Sequence, residues 1–146
     1  MNYKLALIDV DDPEVEKAIV APLIEYNNSK AGPGNGKPLV IAIRDVSGAV
    51  IGGLSGHTSR SWLFTHLLVL PEALRGQGLG KRLMTMAEEE AVARGCVGAW
   101  LDTFEFQARG FYEKLGYTCF GEIQDYPPGQ SRFFMKKQLI GSASGA

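Results

Sequence analysis

The sequence predicts a mixed α/β fold, a mostly antiparallel sheet of about seven strands with flanking helices. Two observations predict it: short apolar runs separated by turn residues fill the middle of the chain, and segments with helical periodicity lie between some of them. The length of 146 residues is that of one domain. We therefore expect residues 1–140 to form a single domain and the small-residue tail 141–146 to be disordered.

The N-terminal part is predicted to contain one strand and one helix. Residues 3–10 have the composition of a strand, and an Asp-Pro pair then opens a helix over residues 12–26. Pro22 is expected to kink or divide this helix, because proline removes a backbone donor. Residues 27–38 are rich in Gly, Asn and Pro, which predicts a loop.

Three strands joined by short turns are predicted next, over residues 39–45, 49–57 and 61–70. Such short connections make an antiparallel meander. A helix with apolar residues at helical spacing follows and ends at Gly95. This helix is a crossover connection, so we expect the strand over 96–103 to run parallel to the strand over 61–70.

The C-terminal part is predicted to hold a short helix and a hairpin. Residues 106–115 place their apolar side chains on one helical face and are followed by a glycine. Residues 117–124 and 132–139 flank a Pro- and Gly-rich turn, which is the pattern of two paired strands.

Charge and cysteine content narrow the function classes. A net charge of −1 and a pI near 6.1 provide no general attraction to nucleic acid or to anionic lipid. No apolar run approaches the ~18 residues of a membrane span, and the N-terminal residues do not have the pattern of a signal peptide. The two cysteines lack metal-ligand spacing and are expected to be reduced thiols. We expect a cytoplasmic protein without a bound metal.

A cationic, glycine-rich loop is the strongest functional signal. Residues 75–82 read RGQGLGKR and stand at the start of the predicted helix. Glycines expose backbone N–H groups, the helix dipole favours negative charge there, and three cations add to both effects. The pattern predicts a phosphate-bearing ligand. The alternative is a tight strand-to-helix turn that binds nothing, and the crowded cations argue against it.

A dinucleotide-binding site is a second possible interpretation of this loop. Lys81 stands where the G-x-G-x-x-G motif has its last glycine, so the motif is incomplete. Asp102 lies at a suitable distance along the chain for an acid that binds a ribose. A three-strand meander before the loop fits a dinucleotide-binding unit poorly, which makes this interpretation the weaker one.

Two motifs together resemble the GNAT N-acetyltransferase superfamily. Residues 75–80 match its R/Q-x-x-G-x-G/A loop, and residues 108–117 look like its A-x-x-L-Y-x-x-x-G-F segment. Both stand in the family's order, and the match is strongest over 62–117. The resemblance implies the GNAT-like acyl-CoA N-acyltransferase fold, in which the parallel strands over 61–70 and 96–103 splay apart.

The same resemblance implies acetyl-CoA as the cosubstrate. Its pyrophosphate is expected on the glycine loop and its pantetheine between the splayed strands. Two departures from the family pattern stand out: one extra residue before Arg75, and Glu105 at the position of a frequent Asn, for which Gln107 could substitute. The implied cofactor-binding residues are Leu68, Val69, Leu70, Arg75, Gly76, Gln77, Gly78, Leu79, Gly80, Lys81 and Gln107.

Two residues are candidates for the chemistry. Tyr112 matches the family's acid and would protonate the departing thiolate, although its place on an apolar helix face also suits packing. His66 would accept the proton of the attacking amine, although a histidine in a strand often has a structural role. The resemblance implies direct acetyl transfer to a primary amine of a small molecule. The alternative is a catalytically silent acyl-CoA-binding module, and a homodimer is left open.

Overall fold

The computed structural model describes residues 1–140, so the predicted tail at 141–146 lies outside the described residues. The chain divides into two compact units, the first ending at Gly34 and the second beginning at Asn35. The first unit holds helix α1 (Pro13–Ala31), whose N-terminus is capped by Asp12 Oδ1 accepting from the Val15 N–H at 3.3 Å.

Helix α1 differs from the expectation in two ways. It is continuous through Pro22, so the proline does not divide it, and it runs on to Ala31. No glycine or proline occurs between Pro22 and Gly32, whose φ of 75° ends the helix, so the predicted loop is shorter than expected. Residues 3–10 pair with no strand of the described chain, and a strand without a neighbour has no ladder to form.

The second unit is built on a six-stranded sheet in the order β1-β2-β3-β4-β6-β5. Among the strands of residues 1–140, only β3 and β4 run parallel, because helix α2 connects them, and the other neighbours are antiparallel. The predicted mixed sheet is confirmed, with six strands because residues 3–10 are unpaired. The strands are β1 (Lys37–Arg44), β2 (Val50–Ser59), β3 (Trp62–Val69), β4 (Gly98–Phe104), β5 (Thr118–Gln124) and β6 (Ser131–Gln138).

Two helices cover one face of this sheet. Helices α2 (Leu79–Ala93) and α3 (Arg109–Lys114) contribute Leu83, Met84 and Tyr112 to the same buried cluster as Leu101 of β4. The extra residue before Arg75 is accommodated in a single 3₁₀ turn, Glu72–Leu74, that joins β3 to the glycine loop.

The parallel strands β3 and β4 part after four residue pairs, the last of which joins Thr65 to Leu101. A bulge accompanies the separation, since Thr65 opposes Gly56 and Leu67 opposes Ser55, which leaves His66 as the extra residue of β3. The bulge brings both His66 and Leu67 to exposed positions. The gap between the strands is therefore formed by the sheet itself.

Candidate functional site

The glycine loop leaves backbone donors without partners. Gly76 and Gly78 have φ of 76° and 79°, and a Cβ at either would meet no atom within 4 Å. Gly78 is the N-cap of α2 and offers no side chain to cap the helix. Within residues 1–140, no acceptor is found for the N–H groups of residues 76 to 81. These donors and the positive end of the helix dipole suit an anion.

The cations of the loop add positive charge that no carboxylate of residues 1–140 neutralises through an ion pair. Arg75, Lys81 and Arg82 are exposed, and none of them forms an ion pair with the described part of the chain. Arg75 Nε donates to the Leu70 carbonyl at 3.3 Å, which ties the loop to the end of β3. Gln77 Nε2 donates to the Ala73 carbonyl at 3.2 Å. Gly80 and Leu79 begin the helix; a Cβ on Gly80 would lie 3.2 Å from Phe111, so α2 and α3 pack closely here.

Residues Leu68, Val69 and Leu70 lie beyond the last pair between β3 and β4. Their edge toward β4 has no strand partner, which is the arrangement that an extended ligand requires to pair with a strand. Leu68 and Leu70 pack against the core, and Val69 is half exposed on the opposite face.

Gln107 and Glu105 both have structural partners. Gln107 Oε1 accepts from the Phe104 N–H at 2.8 Å and from Thr103 Oγ1 at 3.3 Å, so it closes the turn after β4. Its Nε2 has no hydrogen bond within residues 1–140 and remains available as a donor. Glu105 Oε2 accepts from the Ser131 N–H at 3.2 Å, which ties the same turn to β6.

Tyr112 combines burial with an uncommitted hydroxyl. Its ring packs edge to face against Phe111 and Tyr117, with centroids 5.2 and 6.0 Å away. The hydroxyl makes no hydrogen bond within the described residues, whereas the Tyr117 hydroxyl donates to Glu88 Oε2 at 2.9 Å. Burial raises the pKa of Tyr112, and the nearby charge of Asp102 raises it further. Tyr112 therefore stays protonated at neutral pH and can donate a hydrogen bond.

His66 and Asp102 are the first residues of their strands beyond the last β3–β4 pair, so both border the gap. His66 is exposed, and its ring stacks on that of Phe64 with centroids 6.0 Å apart. Asp102 alternates along β4 with buried Leu101 and Thr103, which face the helices, so it faces the other side of the sheet. His66 and Asp102 therefore border the gap on one face of the sheet, and Tyr112 belongs to the core cluster on the opposite face, which the helices cover.

Arg132 of β6 holds Asp102 from the neighbouring strand. Arg132 Nε and Nη2 both donate to Asp102 Oδ1, at 2.9 and 2.7 Å. Asp102 Oδ2 makes no hydrogen bond within residues 1–140. The Arg132 guanidinium also lies against three aromatic rings, those of Phe104, Tyr126 and Phe134, with centroids 5.2, 4.8 and 5.5 Å away.

Residues 6–117 match the model of the Acetyltransferase (GNAT) family. This chain belongs to the GNAT family. It is 46% identical over 139 residues to Acetyltransferase Atu2258 of Agrobacterium fabrum, covering 95% of this chain and 100% of that protein. It is 43% identical over 93 residues to Blasticidin-S acetyltransferase of Streptomyces morookaense, covering 63% of this chain and 68% of that protein.

The solved structures agree with the sequence comparison. A crystal structure of a protein provisionally described as an acetyltransferase from Agrobacterium tumefaciens superposes with a TM-score of 0.87 at 46% identity, covering 94% of this chain and 99% of that one. The predicted GNAT fold and membership are thus confirmed, and this GNAT chain is an N-acetyltransferase. Among residues 1–140, no helix is long and apolar enough to cross a membrane, and no cluster of His, Cys, Asp or Glu could hold a metal ion.

The sequence did not single out the pair of Asp102 and Arg132 in this GNAT site. Asp102 entered only as a ribose-binding acid, and Arg132 only as part of a strand. One signal was present, because aspartate is disfavoured inside strands and the position therefore suggests a special role. The pairing itself depends on the register between β4 and β6, which places the two side chains on one face.

Proposed function

We propose that this protein transfers the acetyl group of acetyl-CoA to a primary amine of a small molecule, by direct attack in a ternary complex. The observation that carries the proposal is the gap between β3 and β4, which has the exposed His66 at its border, while Tyr112 lies in the core cluster on the helix side of the same sheet. A thioester in that gap would have a proton donor at its sulfur and room for an amine on the opposite side.

The cosubstrate would lie along elements that have unused donors. The N–H groups of residues 76 to 81, with Arg75 and Lys81 beside them, would hold the pyrophosphate. The free edge of Leu68, Val69 and Leu70 would pair with the amides of pantetheine, and Gln107 Nε2 would donate from the β4 side.

Acetyl transfer needs one group that accepts a proton from the amine and one that serves the departing thiolate, so two polar side chains are needed. A primary ammonium has a pKa of ~10.4, so it must lose a proton before its nitrogen can attack. We propose that His66 accepts this proton, directly or through water. The nitrogen then bonds to the thioester carbon and gives up its second proton to water as the C–S bond breaks. The Tyr112 hydroxyl donates its proton to the departing thiolate and is reprotonated from water. The products are the N-acetylated amine and the free thiol.

Two observations support a small-molecule acceptor. The relative from Streptomyces morookaense is named for blasticidin S, and the net charge of −1 provides no general attraction for a polyanion.

The family match from residue 6 to 117 spans both units, which supports residues 1–140 acting as one catalytic domain. The two free cysteines support a cytoplasmic location, where thiols remain reduced.

A panel of amines tests the proposal. Blasticidin S, simple alkyl and arylalkyl amines, and lysine are incubated with acetyl-CoA and the protein, and free thiol is measured over time. We expect thiol release that requires both the protein and an amine. Binding of acetyl-CoA by calorimetry without thiol release for any amine would instead identify a catalytically silent acyl-CoA-binding module.

A further inference from the structure

We propose that Asp102 and the aromatic rings of Phe104, Phe106 and Tyr126 form the acceptor subsite, and that it takes a primary ammonium carried on a flat aromatic or heterocyclic body. This inference rests on the proposed function and names the substrate class of the same site. It is carried by one free carboxylate oxygen at the gap and by a set of exposed ring faces next to it.

The carboxylate of Asp102 is held in one orientation with one oxygen free. Both bonds from Arg132 end on Oδ1, so Oδ2 keeps its lone pairs for another donor. The side chain is 18% exposed, so few waters compete for that oxygen. Other carboxylates of this region, Glu105, Glu122 and Asp125, are exposed to solvent. Asp102 is therefore the carboxylate best placed to bind an ammonium at the gap.

Arg132 acts as the positioning residue. Its guanidinium is fixed between the Asp102 carboxylate and the rings of Phe104, Tyr126 and Phe134, and its side chain is 23% exposed. A fixed guanidinium leaves the carboxylate little rotational freedom, so Oδ2 keeps a constant direction. An ammonium bound to Oδ2 would therefore be held in one orientation before it loses a proton to become the reactive amine.

The aromatic rings offer surfaces on which a flat group can stack. Phe104 and Phe106 are parallel within 5° at 5.3 Å, and the Tyr126 ring lies 5.5 Å from that of Phe104. Phe106 is 61% and Tyr126 42% exposed, which is unusual for neighbouring large aromatic side chains. Asp125, beside Tyr126, accepts from the Gly129 N–H at 3.2 Å and so serves the turn.

Two amines and four variants, one of them a control, test the subsite. Wild-type protein should use 2-phenylethylamine better than n-butylamine, because only the first has a ring to stack. Asp102→Asn should raise the KM for both amines by about tenfold to a hundredfold, the effect of losing a charged hydrogen bond. Phe106→Ala should raise the KM for 2-phenylethylamine alone, by about two- to tenfold. Acetyl-CoA affinity should stay unchanged in both variants.

Glu113→Gln is the matched control, since it removes a half-exposed carboxylate of α3 outside the subsite and should match wild type. Asp102→Glu keeps the charge but moves the oxygen, so it should also raise both KM values if the Asn variant folds poorly. An Asp102→Asn protein that matches Glu113→Gln would overturn the subsite, as would equal use of both amines. Wild-type protein that binds acetyl-CoA but acetylates no amine would overturn the proposed function as well.

Discussion

Replacing Tyr112 by Phe is expected to lower kcat by about 10² to 10⁴, the range typical of a lost general acid. The substitution keeps the ring and its edge-to-face contacts with Phe111 and Tyr117 but removes the hydroxyl. Acetyl-CoA affinity should change little, because the loop at residues 76 to 81 is untouched. Stability should be kept as well, because the hydroxyl has no hydrogen-bond partner within residues 1–140.

The matched control is Tyr117→Phe, the same substitution on the neighbouring ring. The Tyr117 hydroxyl donates to Glu88, which also pairs with Lys137 at 2.6 Å, so its loss should cost about 1.5–3 kcal/mol of stability and leave kcat unchanged. Measuring kcat and melting temperature on the same preparations separates the two effects. Full turnover in Tyr112→Phe would remove this hydroxyl from the mechanism.

The raised pKa of Tyr112 predicts how kcat depends on pH. Since burial and the charge of Asp102 both raise it above the usual value of 10.0, the hydroxyl keeps its proton throughout the neutral and mildly alkaline range. The amine, in contrast, becomes more reactive as pH rises toward its own pKa of ~10.4. We therefore expect wild-type kcat to rise with pH up to about 9 without an alkaline fall from Tyr112.

Gly78→Val is expected to abolish acetyl-CoA binding. The side chain would project into open space beside the unpartnered N–H groups, where the backbone must approach the pyrophosphate closely. Wild-type protein should bind acetyl-CoA in a calorimeter and give no heat with NAD or ATP. The variant should give no heat with acetyl-CoA either.

Backbone strain is the confounding effect, because Gly78 has a φ of 79°. Gly95 at the other end of α2 has a φ of 86° and equally open space, so Gly95→Val carries a comparable strain of at least about 1–2 kcal/mol. Both variants should melt at similarly lowered temperatures, and only Gly95→Val should bind acetyl-CoA normally. Wild-type affinity in a folded Gly78→Val protein would mean that the pyrophosphate lies elsewhere.

Local signals in the sequence predicted the second unit well. Its strands and helices begin and end near the expected residues. The signals that end them, such as Gly95 and the turns between apolar runs, are only a few residues long and can be recognised in the sequence alone. The sequence-based predictions failed where the local structure depends on more than the nearby residues. Residues 3–10 have a strand composition but no partner strand in the described chain, and α1 tolerates Pro22 inside a continuous helix.

The candidate site was predictable in part for the same reason. The glycine loop and Tyr112 belong to short motifs, and the structure gives the loop free donors and the tyrosine a free hydroxyl. Asp102 and Arg132 are 30 residues apart, and only the register of β4 with β6 joins them. A bulge likewise sets the direction of His66, and no local pattern in β3 indicates a bulge.

The most direct test of acetyl transfer is the stoichiometry of its two products. Wild-type protein is mixed with acetyl-CoA and an amine from the panel, and mass spectrometry of the amine is compared with the amount of free thiol released. Direct transfer predicts one N-acetylated amine for each thiol, no acetylated protein, and no thiol release when the amine is omitted. Thiol release without an acetylated amine, or binding of acetyl-CoA without any release, would contradict it.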